Sequence, residues 1–187
     1  LDRIANTARN LGLKAHISVR VNPNIDAHVD HHVATGLGDS KFGVKLTDVI
    51  ALYQKAAELK EIEIEGISCH IGSLVESTAP YMSEIEVLSV FVNELLDRGI
   101  ALKHFDIGGG AGVAYKADEK TLEPSELIPA VVAQIRSLVK IPDIGILIEP
   151  GRSIIAQAGV LLTRVEYLKS GLFERNFCVV DASMTEL

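Results

Sequence analysis

Four strand-like runs recur along the first 152 residues, with helical patterns between them; the first of them alternates and is β-branched. The runs are HISVRVN (16–22), IEGISCHIGS (64–73), LKHFDIGGG (102–110) and IGILIEPGR (144–152). Residues 2–12 precede the first run with Ile4, Ala8 and Leu11 at helical spacing, and Gly12 stops that pattern. Residues 47–60 place Val49, Leu52, Tyr53 and Ala56 on one face, with Thr47 positioned to cap a helix. Residues 78–98 predict a long helix ending before Gly99, and residues 124–138 a helix with proline in its first turn. Such alternation predicts parallel strands joined by right-handed helical crossovers. Each strand also ends in chemically loaded residues: Arg20 and Asn22, His70 and Ser73, Asp106 to Gly110, and Glu149 to Arg152. Loaded carboxyl ends are what a (β/α)₈ barrel uses for its site. A doubly wound open sheet is the alternative. The fold class is therefore α/β, and four strands supply about half of an eight-stranded barrel. After Arg152 the alternation breaks: VLLTRVEYL (160–168) and FCVVDA (177–182) have no helix of the expected length between them. The expected domains are a partial barrel over 1–155 and the start of a β-rich domain over 156–187.

Composition narrows the partners. The chain has 187 residues, 48% hydrophobic and 23% charged, as suits a globular protein with a real core. Its net charge of −7 argues against nucleic acid or an anionic membrane surface as partner. No apolar run is long enough to span a bilayer. Two cysteines, Cys69 and Cys178, suggest no disulfide framework, and no signal peptide is evident. A cytoplasmic location is the expectation.

The strand ends point to a ligand. Consecutive glycines let backbone amides approach an anion, although GGGAG lacks the lysine of a P-loop and does not fit a dinucleotide fingerprint. The bland alternative is a tight turn. His70 can be structural, or can face a flat ligand while Ser73 supplies a hydroxyl to an anion. His28, His31 and His32 lie near Asp26 and Asp30 in a polar stretch, but no ligand spacing recurs, so no metal is expected. Glu149 follows an apolar run, where a bare carboxylate is costly. It can pair with Arg152. Alternatively, Pro150 and Gly151 turn the two apart, so that Glu149 meets a protonated ring nitrogen and Arg152 a carboxylate or phosphate. Together these features suggest a flat, phosphorylated, protonatable heterocycle, and pyridoxal 5'-phosphate fits.

TGLGDSKFGV (35–44), GISCHIGS (66–73), DIGGGAGVAY (106–115), EPGRSIIAQAG (149–159) and VVDASM (179–184) resemble, in order, the motifs of the diaminopimelate decarboxylases. These form a branch of the fold-III pyridoxal phosphate decarboxylases, which include ornithine and arginine decarboxylases. The resemblance runs across nearly all of the chain, and RVNP followed by the TG…SKFG block favours this branch. It implies a barrel of the alanine racemase-like type followed by a β domain. It implies a carboxy-lyase converting meso-2,6-diaminopimelate to L-lysine and carbon dioxide, the last step of lysine biosynthesis. It implies that His70 stacks on the cofactor ring and that Ser73 with Gly108, Gly109 and chiefly Gly110 binds phosphate. Glu149 would hold the pyridinium nitrogen, and Pro150, Gly151 and Arg152 would line the phosphate side. Arg152 would also touch a substrate carboxylate, and the role of Arg20 stays open. A homodimer is implied because the family completes its site across a dimer interface.

Departures accompany the match. In the family the Schiff-base lysine lies on the first barrel strand, in a motif like YAVKAN, and no such segment occurs here; Lys41 belongs to the SKFG pattern and is not its substitute. Leu74 stands where glutamine is common, Ala111 follows the glycines, and Ser183 replaces a glycine. The chain is accordingly expected to be an internal fragment, inactive alone. Competing readings are a decarboxylase for ornithine, arginine or carboxynorspermidine, a non-catalytic homologue binding a regulatory protein, and an unrelated phosphate-binding barrel.

Overall fold

The structure, a computed structural model, describes every residue except 28–34, 37, 39, 117, 120, 173, 174, 184, 186 and 187. The chain divides into two compact units, Leu1–Ser153 and Ile154–Leu187.

Among the described residues the first unit carries five parallel strands: β1 (Ala15–Asn22), β2 (Val44–Lys45), β3 (Ile62–Ser68), β4 (His104–Asp106) and β5 (Gly145–Leu147). Its helices are α1 (Asp2–Leu11), α2 (Val49–Ala57), α3 (Ala79–Asp97) and α4 (Pro124–Leu138), and the single turn α5 (Arg152–Ile155) runs across the boundary at residue 153. The sheet order is β2-β1-β3-β4-β5. From β1 onward each crossover through α2, α3 and α4 adds its strand beside the last, always in the same direction. Right-handed crossovers of that kind put every helix on one face and curl the sheet. A doubly wound sheet would reverse its order at a switch point. The strands joined through helices show no such reversal; only the two-residue β2 lies on the far side of β1, with no helix between the two among the described residues, so the unit is an arc of a (β/α) barrel.

Period-two alternation sets the two faces. Val19, Val21, Ile67, Cys69 and Phe105 are buried against the helices, while Arg20, Ser68 and His104 on the other face are half-buried. The core closes with Tyr53 from α2, Tyr81, Leu88 and Val92 from α3, and Val131 and Ile135 from α4. Tyr53 spends its one polar group inside that core by donating its hydroxyl to the Gly66 carbonyl at 2.7 Å.

Two local expectations need correction. Thr47 does not cap α2: residues Leu46–Asp48 form a 3₁₀ turn, and the Thr47 hydroxyl donates to Asp48 Oδ1 at 2.9 Å. The run 144–152 is not a buried strand. β5 pairs on one side only, with β4, so Leu147 and Ile148 are 44% and 42% exposed and Glu149 beyond them is exposed. The short strand β2 carries no sequence signal, because two residues cannot show a period.

The second unit contains one antiparallel pair, β6 (Val165–Ser170) with β7 (Asn176–Val180). The apolar run from 160 does not pair until Val165; Val160 and Leu162 are 98% and 95% exposed. Among the described residues, no helix is long and apolar enough to cross a membrane.

Candidate active site

The carboxyl ends of β3, β4 and β5 converge. His70, Ser73, Gly110, Glu149, Gly151 and Arg152 line one cavity of about 180 Å³, together with Leu74 and Ala111. These residues lie far apart in sequence, and the parallel register Ser68–Asp106–Leu147 brings their loops together.

The three glycines of the β4 loop differ in what they do. The Gly108 amide donates to Asp106 Oδ1 at 2.8 Å, and the Gly109 amide to His70 Nδ1 at 3.2 Å. The Gly110 amide has no acceptor among the described residues. Two of the expected phosphate donors are thus already committed within the protein, and one is available. The carbonyls are committed too: Gly108 accepts from the Glu149 amide at 2.7 Å, Gly109 from the Tyr81 hydroxyl at 3.0 Å, and Gly110 from the Val75 amide at 2.9 Å. The loop is a tight junction in its own right. Gly110 has φ of 93°, and a Cβ there would collide with the Gly72 carbonyl oxygen.

His70 is held by both its ring and its backbone. Because Nδ1 accepts the Gly109 amide, a neutral ring carries its proton on Nε2. Burial lowers the imidazole pKa, the Arg20 guanidinium lowers it further, and Asp106 partly opposes them. The His70 carbonyl accepts from Thr35 Oγ1 at 2.8 Å and, weakly, from Arg20 Nη2 at 3.5 Å. Arg20 also lies over the Phe42 ring, 5.1 Å from its centroid. Its place is therefore the floor behind His70 rather than the cavity lining. Ser73 Oγ has no protein partner among the described residues.

Pro150 does not line the cavity and serves as the turn between Glu149 and Gly151. Glu149 and Arg152 make no ion pair with each other; Arg152 Nη1 instead donates to the Tyr115 hydroxyl at 2.9 Å. Lys41 reaches the Phe42 ring at 5.2 Å, and no lysine lines the cavity among the described residues. His28, His31, His32 and Asp30 lie outside the described residues. Leu74 lines the cavity with φ of 66°, a left-handed conformation unusual for leucine.

Several contributors carried no recognised signal. Tyr81 and Glu84 reach the site from α3; Glu84 is fully buried, beside Cys69 and Asp106. A separate group, His16, Glu63 and Glu65, gathers at the opposite, amino ends of the strands. The Lys103 ammonium sits 2.6 Å from Glu63 and 2.9 Å from Glu65 and so already supplies their countercharge.

Known proteins resemble this chain in sequence and fold. A family model described as pyridoxal-dependent decarboxylase, pyridoxal binding domain, matches residues 1–156. Diaminopimelate decarboxylase of Pseudomonas aeruginosa is 41% identical over 187 residues, all of this chain and 44% of that protein. The Haemophilus influenzae diaminopimelate decarboxylase is 40% identical with the same coverage. The crystal structure of diaminopimelate decarboxylase from Helicobacter pylori complexed with L-lysine superposes with a TM-score of 0.83 at 35% identity, over 96% of this chain and 44% of that one. Lysine decarboxylase from Selenomonas ruminantium gives 0.73 at 26% identity, over 97% and 44%. The chain spans less than half the length of these relatives. With its family model covering nearly all of the barrel arc and its cavity, this chain belongs to the pyridoxal-dependent decarboxylases.

Proposed function

We propose that a polypeptide of the relatives' full length carrying this chain decarboxylates meso-2,6-diaminopimelate to L-lysine, with pyridoxal 5'-phosphate held in the cavity at the ends of β3, β4 and β5. The observation that carries the reading is the donor set of that cavity. It offers a hydroxyl, an uncommitted amide, a carboxylate, a guanidinium and the face of a neutral imidazole. That set fits a phosphorylated pyridine: Ser73 and the Gly110 amide suit phosphate oxygens, with Gly151 alongside. Gly108 and Gly109 shape the loop instead of binding directly.

The cofactor, when bound, supplies an electron sink for the pair left behind by departing carbon dioxide. His70 offers a flat ring without charge, so it can stack on a pyridine without repelling a proton on the ring nitrogen. Glu149 would accept a charge-assisted hydrogen bond from the ring N–H and so keep the proton on the ring nitrogen. Arg152 orients a substrate carboxylate. Among the described residues no lysine lines the cavity, so this chain alone is expected to be inactive. The reading extends to a cytoplasmic homodimer, and to residues 156–187 as the beginning of a β domain, supported by the β6–β7 pair.

The test is carbon dioxide release by the full-length protein from meso-diaminopimelate, with ornithine and arginine in parallel. Release from diaminopimelate alone is the expected result. Release from ornithine or arginine would move the substrate, and release from none would overturn the enzymatic reading.

A further inference from the structure

Arg152 is exposed, and a solvated arginine loses rotamer freedom when it meets an anion. Its anchor here is one hydrogen bond, from Nη1 to the Tyr115 hydroxyl. No other partner of this guanidinium occurs among the described residues. The Nε–Nη2 edge, the side that takes a carboxylate with two parallel hydrogen bonds, is thereby left available.

Tyr115 reaches Arg152 from the β4 loop, five residues beyond Gly110. Its ring is 64% exposed, so packing does not account for its position. The loop itself is fixed. The amides of Tyr115 and Lys116 both donate to Glu119 Oε2, at 2.7 and 3.2 Å. Upstream, the Gly112 amide donates to the Val75 carbonyl at 3.0 Å, which ties the loop to the segment following Ser73. The phenol therefore stands at the end of a braced segment and crosses from the β4 loop to the β5 end.

We propose that Tyr115 is a positioning residue: its hydroxyl holds the Arg152 guanidinium at the cavity mouth with the Nε–Nη2 edge presented to a carboxylate of the incoming amino-acid substrate. This rests on the decarboxylase reading and adds to it the residue that sets carboxylate recognition. Tyr115 acts through Arg152 and not on the cofactor.

The experiment uses the full-length protein loaded with pyridoxal phosphate, as wild type, Tyr115→Phe, Arg152→Met and the double variant. Two quantities are read: kcat and KM for diaminopimelate, and calorimetric affinity for pimelate, a dicarboxylate of the same length without amino groups. Loss of one hydrogen bond to a charged group should raise KM and weaken pimelate by about tenfold or more in Tyr115→Phe, with a much smaller change in kcat. In the Arg152→Met background the Tyr115 substitution should add nothing. Glu119→Ala, which releases the brace, should shift KM in the same direction. Wild-type pimelate affinity and KM in Tyr115→Phe would overturn the proposal, as would additive effects in the double variant. If the wild type turns over no diaminopimelate, the decarboxylase reading fails, and the pimelate cycle still decides whether Tyr115 works through Arg152.

Discussion

Glu84 sits on α3 with no exposed surface, and among the described residues neither carboxyl oxygen meets a hydrogen-bond partner. Burial raises its pKa well above the usual 4.5; the Cys69 thiol opposes that shift and the Asp106 charge adds to it. The folded protein thus keeps a proton that the unfolded chain releases once pH exceeds about 4.5. The stabilisation is complete below that value and is lost as pH rises toward the folded-state pKa. Between the two, one bound proton gives a slope of about 1.4 kcal/mol per pH unit. Glu84→Gln has no such proton, so its stability should lack this slope. Glu84→Leu also removes the unpartnered oxygens, whose burial costs about 1–3 kcal/mol. The assay is urea unfolding of the full-length protein, followed by circular dichroism, at a series of pH values rising from just above the unfolded value of 4.5. The expected order of stability at the upper end is Leu, then Gln, then the wild-type Glu. Parallel pH dependence in wild type and Glu84→Gln would refute the reasoning.

Four further outcomes follow from the site. Gly110→Ala should lower the melting temperature of the cofactor-free protein, because its Cβ meets the Gly72 carbonyl and its φ is 93°; an unchanged melting temperature would contradict the tight junction. Leu74→Gly should be more stable than Leu74→Ala by about 1 kcal/mol in denaturant titrations, since only glycine relieves the left-handed backbone. Arg20→Met should move the His70 titration upward by NMR, because Arg20 holds that pKa down. Glu149→Gln should lose turnover far more than cofactor occupancy measured by absorbance; full turnover would remove Glu149 from the chemistry.

The barrel arc was legible because β1, β3, β4 and β5 fall in apolar runs followed by turn chemistry, and because α4 begins at a proline that fits its first turn. The edge position of β5 was not legible, since ILI reads as buried whether or not a second neighbour exists. Glu84 is a different case. It falls on the same helical stripe as Tyr81, Leu88, Val92 and Leu95, so its spacing carried the signal of a buried carboxyl. The division of labour among Gly108, Gly109 and Gly110 was hidden because their amides are spent on partners that only the folded loops define, above all His70.

The most direct test is the ratio of affinities for pyridoxal phosphate and pyridoxal, measured by absorbance titration in full-length wild type and Ser73→Ala. If the cavity at the ends of β3, β4 and β5 holds the cofactor phosphate, the preference for the phosphorylated form falls about tenfold in Ser73→Ala while pyridoxal affinity holds. An unchanged preference would place the phosphate elsewhere and contradict the cavity assigned here.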